Sequence, residues 1–207
     1  MSKARRMGGI MRGLTSALAL ATVGVAGVTL WELQFAERFG REAPDWIPLG
    51  SVYGGKAHAV VKALETDPTA DLEPAKALSW RQLKLSPANH YAWLRLAFIE
   101  VAQKGSLGSD GVRYLQRSYD VAPYDSLAWR MGMAFETWPS LPKDLQDAVL
   151  DDLRVNWLTG RRRLSYSSLP SKVRNPAGLA VLQAKIVDLR REEAERYRQR
   201  QLLKRVN

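Results

Sequence analysis

The residues able to do chemistry are few. The chain has no Cys and only two His, His58 and His90. That removes disulfides, zinc–thiolate sites and thiol catalysis, and leaves two candidates for a base at neutral pH. His58 follows a glycine-rich turn, and His90 opens an apolar stretch beside Tyr91. Neither has a serine elbow or other nucleophile at a telling spacing. Glu136 and the run Asp144, Asp147, Asp151, Asp152 supply carboxylates. On a helix, Asp144, Asp147 and Asp151 share one face, which reads as a solvated acidic surface; without convergent ligands it is not a metal site. Gly50-Ser51-Val52-Tyr53-Gly54-Gly55-Lys56 matches the first seven positions of a phosphate-binding loop. Position eight is Ala57, so the hydroxyl that would hold Mg²⁺ is missing, and Pro44 and Pro48 break the strand that should precede it. The plainer reading is a flexible glycine turn opening a helix. No catalytic residue, metal or cofactor is assigned, and the chain reads as a non-enzyme.

Charge says where the chain sits. The 207 residues carry 31 basic and 21 acidic side chains, a net +10, which by itself suggests a polyanionic partner. The surplus lies at the two ends. Residues 1–12 hold four basic side chains and no acid, and residues 161–207 hold 13 basic and 4 acidic. Residues 13–160 are slightly acidic, with 14 basic and 17 acidic. A nucleic-acid-binding module normally carries its basic stripe on the folded body, so this distribution argues against nucleic acid.

Residues 13–31 form an uncharged run of 19 ending at Trp31. As a helix it spans about 28 Å, close to the hydrocarbon thickness of a bilayer. Its basic leading flank and acidic trailing flank place the N-terminus in the cytoplasm and the body outside it. The sequence is therefore read as a single-pass protein of the bacterial inner membrane with a periplasmic body. Gly24-Val25-Ala26 offers small residues of the kind found at signal-peptide cleavage sites, but the apolar run continues past them, which favours a retained signal anchor. Residues 32–55, with Pro44, Pro48, Gly50, Gly54 and Gly55, read as a linker or irregular docking segment.

The body, residues 56–160, is all-α. Apolar residues recur at helical spacing between strong stops, predicting helices over 55–67, 72–85, 91–103, 110–122, 126–137 and 142–159. Connections of a few residues make neighbours antiparallel hairpins. Residues 161–207 form a basic loop and a C-terminal helix from Pro176, with Leu179, Leu182, Ile186 and Leu189 on one face. After Leu189 the chain is polar all round: an exposed helix held by pairs one turn apart, or a frayed tail. Arg161, Arg162, Arg163, Arg190, Arg191, Arg198 and Arg200 are the contacts it offers an anionic lipid or acidic partner.

The hairpins repeat. Leu85 to Trp93 aligns with Val121 to Trp129, so that Pro, Ala and Trp recur at a spacing of 36. This resembles the tetratricopeptide repeat, a helix–turn–helix unit of about 34 residues. Trp93, Leu96 and Ala97 take the signature positions of its first helix. Gly111, Leu115, Ser118 and Pro123 take those of its second. Glu100 departs from the usual aromatic, and Gly132-Met133 swaps the usual order in the next unit. The resemblance covers roughly residues 72–138 and implies a scaffold in which Trp93 and Trp129 pack against small residues of the paired helix. It also implies a groove offered to a protein partner. With one anchor and a helical-repeat body, the chain is similar to small tethered proteins of bacterial exopolysaccharide synthesis and export clusters. The function expected is a membrane-anchored adaptor that organises an envelope complex. The alternative is an accessory subunit of a larger respiratory or photosynthetic membrane complex.

Overall fold

The computed structural model describes residues 42, 44, 48–125, 127–160 and 166–206. Among them the regular structure is entirely helical. Seven α-helices follow one another: α1 Gly50–Lys62, α2 Glu73–Leu85, α3 His90–Lys104, α4 Ser109–Val121, α5 Ala128–Thr137, α6 Lys143–Leu158 and α7 Pro176–Val206. Single 3₁₀ turns occupy Ala63–Glu65 and Leu169–Ser171. The all-α class is as expected. The run at 13–31 read as an anchor lies outside the described residues, and no described helix is long and apolar enough to cross a membrane.

Local chemistry sets the helix ends. Pro74 sits in the first turn of α2, where its missing N–H costs nothing, and Ser86-Pro87 stops the helix. The Asn89 side chain caps α3 by accepting the Ala92 N–H at 2.9 Å. Gly105 closes α3 with φ of 77°, a left-handed conformation that disfavours any side chain. Successive helices α1 to α4 pack side by side through these short turns.

The start of α1 differs from expectation. It begins at Gly50, not near Gly55, so the phosphate-loop look-alike is regular helix and presents no cradle of N–H groups. Packing against α2 is the reason. A methyl group at Gly54 would lie 2.6 Å from Gln82 Nε2, and one at Gly50 would lie 2.9 Å from Ser86 Oγ. Each glycine weakens the helix by about 1 kcal/mol relative to alanine, yet the pair brings α1 close against α2. Val52 and Ala57 are buried there.

The main core is built from α3 to α7. Leu94, Leu115, Met131, Phe135, Leu145 and Leu153 are fully buried in it, and Leu182, Ile186 and Leu189 of α7 complete it. The first half of α7 therefore docks, as its apolar face predicts. Two devices fix it. Glu136, at the end of α5, accepts the N–H groups of Arg174 at 2.5 Å and Asn175 at 3.0 Å. Gly178 lies against the Phe135 carbonyl so closely that a Cβ would overlap its oxygen. Past Leu189 the helix continues through Val206. Glu192 ties it to the body, bonded to Arg154 at 2.6 and 3.0 Å, and Arg196 joins the same carboxylate at 2.8 Å.

Candidate interaction surface

Three adjacent helices each contribute one ring to a surface cluster. Trp80 of α2 meets Trp93 of α3 edge-on, with centroids 5.7 Å apart, and meets Tyr114 of α4 at the same distance. Trp93 and Tyr114 stack at 6.2 Å. The Trp93 indole N–H donates to the Pro87 carbonyl at 2.8 Å, so the ring is held by the turn that precedes its own helix. The Arg117 guanidinium lies 6.0 Å from the Trp93 ring, within cation–π range. On the rim, Arg117 pairs with Asp120 at 3.2 Å and Arg113 with Asp110. Trp80 keeps 37% of its surface in solvent. A different face of α3 carries a second aromatic set: Phe98 receives Trp129 of α5 edge-on at 6.2 Å, and Tyr91 and Tyr124 are exposed nearby in sequence. Exposed Trp and Tyr edged by Arg is the composition that protein interfaces favour.

The residues singled out by the repeat divide between inside and outside. Leu96, Ala97, Gly111, Leu115 and Ser118 are buried. A methyl group at Gly111 would lie 2.5 Å from Glu100 Oε2 and 2.6 Å from Leu107 Cδ2, so the small residue is needed for α3 and α4 to close. Glu100, the departure from the aromatic pattern, is itself nearly buried and accepts from Lys104 Nζ at 2.8 Å, which raises the lysine's pKa. The Pro123 carbonyl accepts from Arg130 Nη2 at 3.2 Å. Trp93 is half-buried in the ring cluster. Trp129 does not go inside: it is 44% exposed and edge-on to Phe98, while its neighbours Arg130 and Met131 are the fully buried residues of this turn. Arg190, Arg191, Arg198 and Arg200 are exposed along α7, while Arg161, Arg162 and Arg163 lie outside the described residues.

Sequence reasoning missed the buried ionic network under this surface. Arg130 is fully buried and caps the end of α4 by donating to the carbonyls of Ser118, Ala122, Pro123 and Asp125 at 2.7–3.2 Å. Its guanidinium stacks 3.9 Å from the Tyr119 ring and pairs with the buried Asp152 of α6 at 2.7 Å. Asn156 Nδ2 also donates to Asp152, at 2.6 Å. Burial pushes the Asp152 carboxyl up to about 6, against the opposing pull of Arg130. His90 Nε2 lies 2.5 Å from Asp125 Oδ2, and burial lowers its pKa despite that carboxylate. A signal for Asp152 was present: it falls seven residues after Leu145 and three after Val149, on the apolar stripe of α6. Asp144, Asp147 and Asp151 face solvent instead, with Lys143 paired to Asp147. His58 is exposed on α1. Among the described residues no three His, Asp or Glu side chains gather as a metal site.

This chain matches no protein-family model, no curated protein and no solved structure.

Proposed function

We propose that this protein is a non-catalytic helical adaptor, tethered by residues 13–31 to the bacterial inner membrane, that organises a protein complex in the envelope. The observation that carries the reading is the ring cluster Trp80–Trp93–Tyr114, built across three helices with an arginine beside it, in which Trp80 is exposed and Trp93 and Tyr114 are half-buried. Rigid aromatic side chains lose little entropy on binding and supply large contact area, so such a cluster suits a protein partner. The tetratricopeptide-like spacing of the α3–α4 hairpin supports the same use, since such hairpins serve as scaffolds. The similarity to tethered proteins of exopolysaccharide clusters makes polysaccharide synthesis or export the pathway proposed.

Purification of the tagged full chain in mild detergent tests this. The wild type should hold a defined envelope partner that the Trp80→Ala/Tyr114→Ala double variant releases while remaining helical and folded. Equal retention by both proteins would refute the ring cluster as the contact. A pigment- or cofactor-containing complex recovered in fixed stoichiometry would turn the reading to an accessory subunit of a respiratory or photosynthetic assembly.

A further inference from the structure

The second half of α7 has features that docking to the body does not use. From Tyr197 onward the sequence carries four basic residues, Arg198, Arg200, Lys204 and Arg205, and no acid. Tyr197, Leu202 and Leu203 are 63%, 62% and 66% exposed, more than any other large apolar side chains described. Two adjacent exposed leucines give this end of the helix a small apolar patch. Tyr197, Arg198, Arg200, Leu202 and Leu203 are all exposed, past the Arg154–Glu192–Arg196 cluster. Helical spacing sets Leu202 and Leu203 on one side with Gln199 one turn before them, while Arg198 and Arg200 flank that side.

We propose that this arm, residues 197–206, is an amphipathic membrane-surface helix that lays Leu202 and Leu203 among anionic lipid head groups while Arg198 and Arg200 meet the phosphates. Charge complementarity selects the occupant: a stretch with four cations and no acid is drawn to an anionic leaflet within a Debye length. Exposed leucines then separate lipid from other polyanions. A nucleic-acid backbone pairs with arginine but gives the leucine pair nothing apolar to enter, whereas the acyl boundary does. Long basic side chains bordering an apolar patch reach from the hydrocarbon edge to the phosphates. This inference stands apart from the proposed adaptor role, which uses α2 to α4.

The cysteine-free chain makes the test direct, because Gln199→Cys introduces a unique thiol beside the leucines. The full chain, labelled there with an environment-sensitive fluorophore, is reconstituted into vesicles of phosphatidylcholine or of phosphatidylcholine with phosphatidylglycerol. Any contribution of an N-terminal anchor is common to both. The emission should shift to the blue only in the anionic vesicles, and high salt should reverse it. Leu202→Glu/Leu203→Glu and Arg198→Glu/Arg200→Glu should each abolish the shift without changing the circular dichroism spectrum. A label at Lys143→Cys on the body should not respond. Identical emission in both vesicle types would overturn the proposal. So would a shift produced by duplex DNA or polyglutamate and not by anionic vesicles, which would assign the arm to a macromolecular polyanion.

Discussion

Replacing Asp152 by Asn tests how the buried network is wired, through its pH dependence. Asp152 is fully buried beside Arg130, and its carboxyl stands at about 6 instead of 3.8 because burial disfavours the ionised form more than Arg130 restores it. A folded-state pKa above the unfolded one means that folding takes up a proton between the two values. The stability this contributes is present at low pH and is lost as pH rises through about 6. The full difference corresponds to about 3 kcal/mol, of which about 1–1.5 kcal/mol falls between about pH 5 and pH 7.5. His90 works in the opposite sense: its lowered pKa gives stability present above 6.5 and lost on acidification. His90 is common to the wild type and Asp152→Asn, so the difference between them isolates Asp152. Arg130, Asn156, Asp125 and Tyr119 surround position 152 and are left unchanged by the substitution. Urea unfolding of the two full chains, followed by tryptophan fluorescence in one mild detergent, should show the variant gaining about 1–1.5 kcal/mol on the wild type between about pH 5 and pH 7.5. The same stability gap at both pH values would refute the assignment of a desolvated carboxylate with a raised pKa.

Arg130→Met leaves Asp152 and four carbonyls without their cation, and urea unfolding at neutral pH should show a loss of about 3–5 kcal/mol, well beyond that of Asp152→Asn. Trp93→Ala opens the three-ring cluster and should cost about 2–3 kcal/mol. Trp129→Ala removes a largely exposed ring and should cost about 1 kcal/mol; equal melting shifts for the two would contradict their different burial. Gly178→Ala drives a methyl group into the Phe135 carbonyl and should destabilise by about 2–3 kcal/mol. Its mark should be faster amide exchange across the first half of α7 than across α2 and α3.

Where one residue decides the outcome, the sequence was readable. Pro87 and Gly105 end helices by their own backbone chemistry, so the hairpins could be placed to within a few residues. Gly111, Leu115 and Ser118 recur at the spacing that closes α3 on α4, and they are buried as that spacing implies. The rest depends on pairs far apart in sequence. Gly50 and Gly54 look like loop residues until Gln82 and Ser86 are known to lie against them. Trp129 looks like core until Arg130 is seen to fill the interior, and Arg130 is tolerable there only because Asp152, 22 residues on, meets it. The grip of Glu136 on the chain before α7 spans 38 residues and follows no local pattern. The ring cluster sits between these cases: Trp93 could be singled out from the repeat, but its partners Trp80 and Tyr114 come from helices on either side.

The continuity of α7 has a mechanical consequence. A helix seated by Gly178 and Leu189 and unbroken to Val206 is a lever with a fixed fulcrum. Its span beyond Glu192 is about 21 Å at 1.5 Å per residue. Whatever that end touches is held at a set standoff from the body, in a direction dictated by the docked half. Two added turns would lengthen the reach by about 11 Å while leaving the angle of approach nearly unchanged. A single proline in the same stretch would leave the body intact and let the end swing.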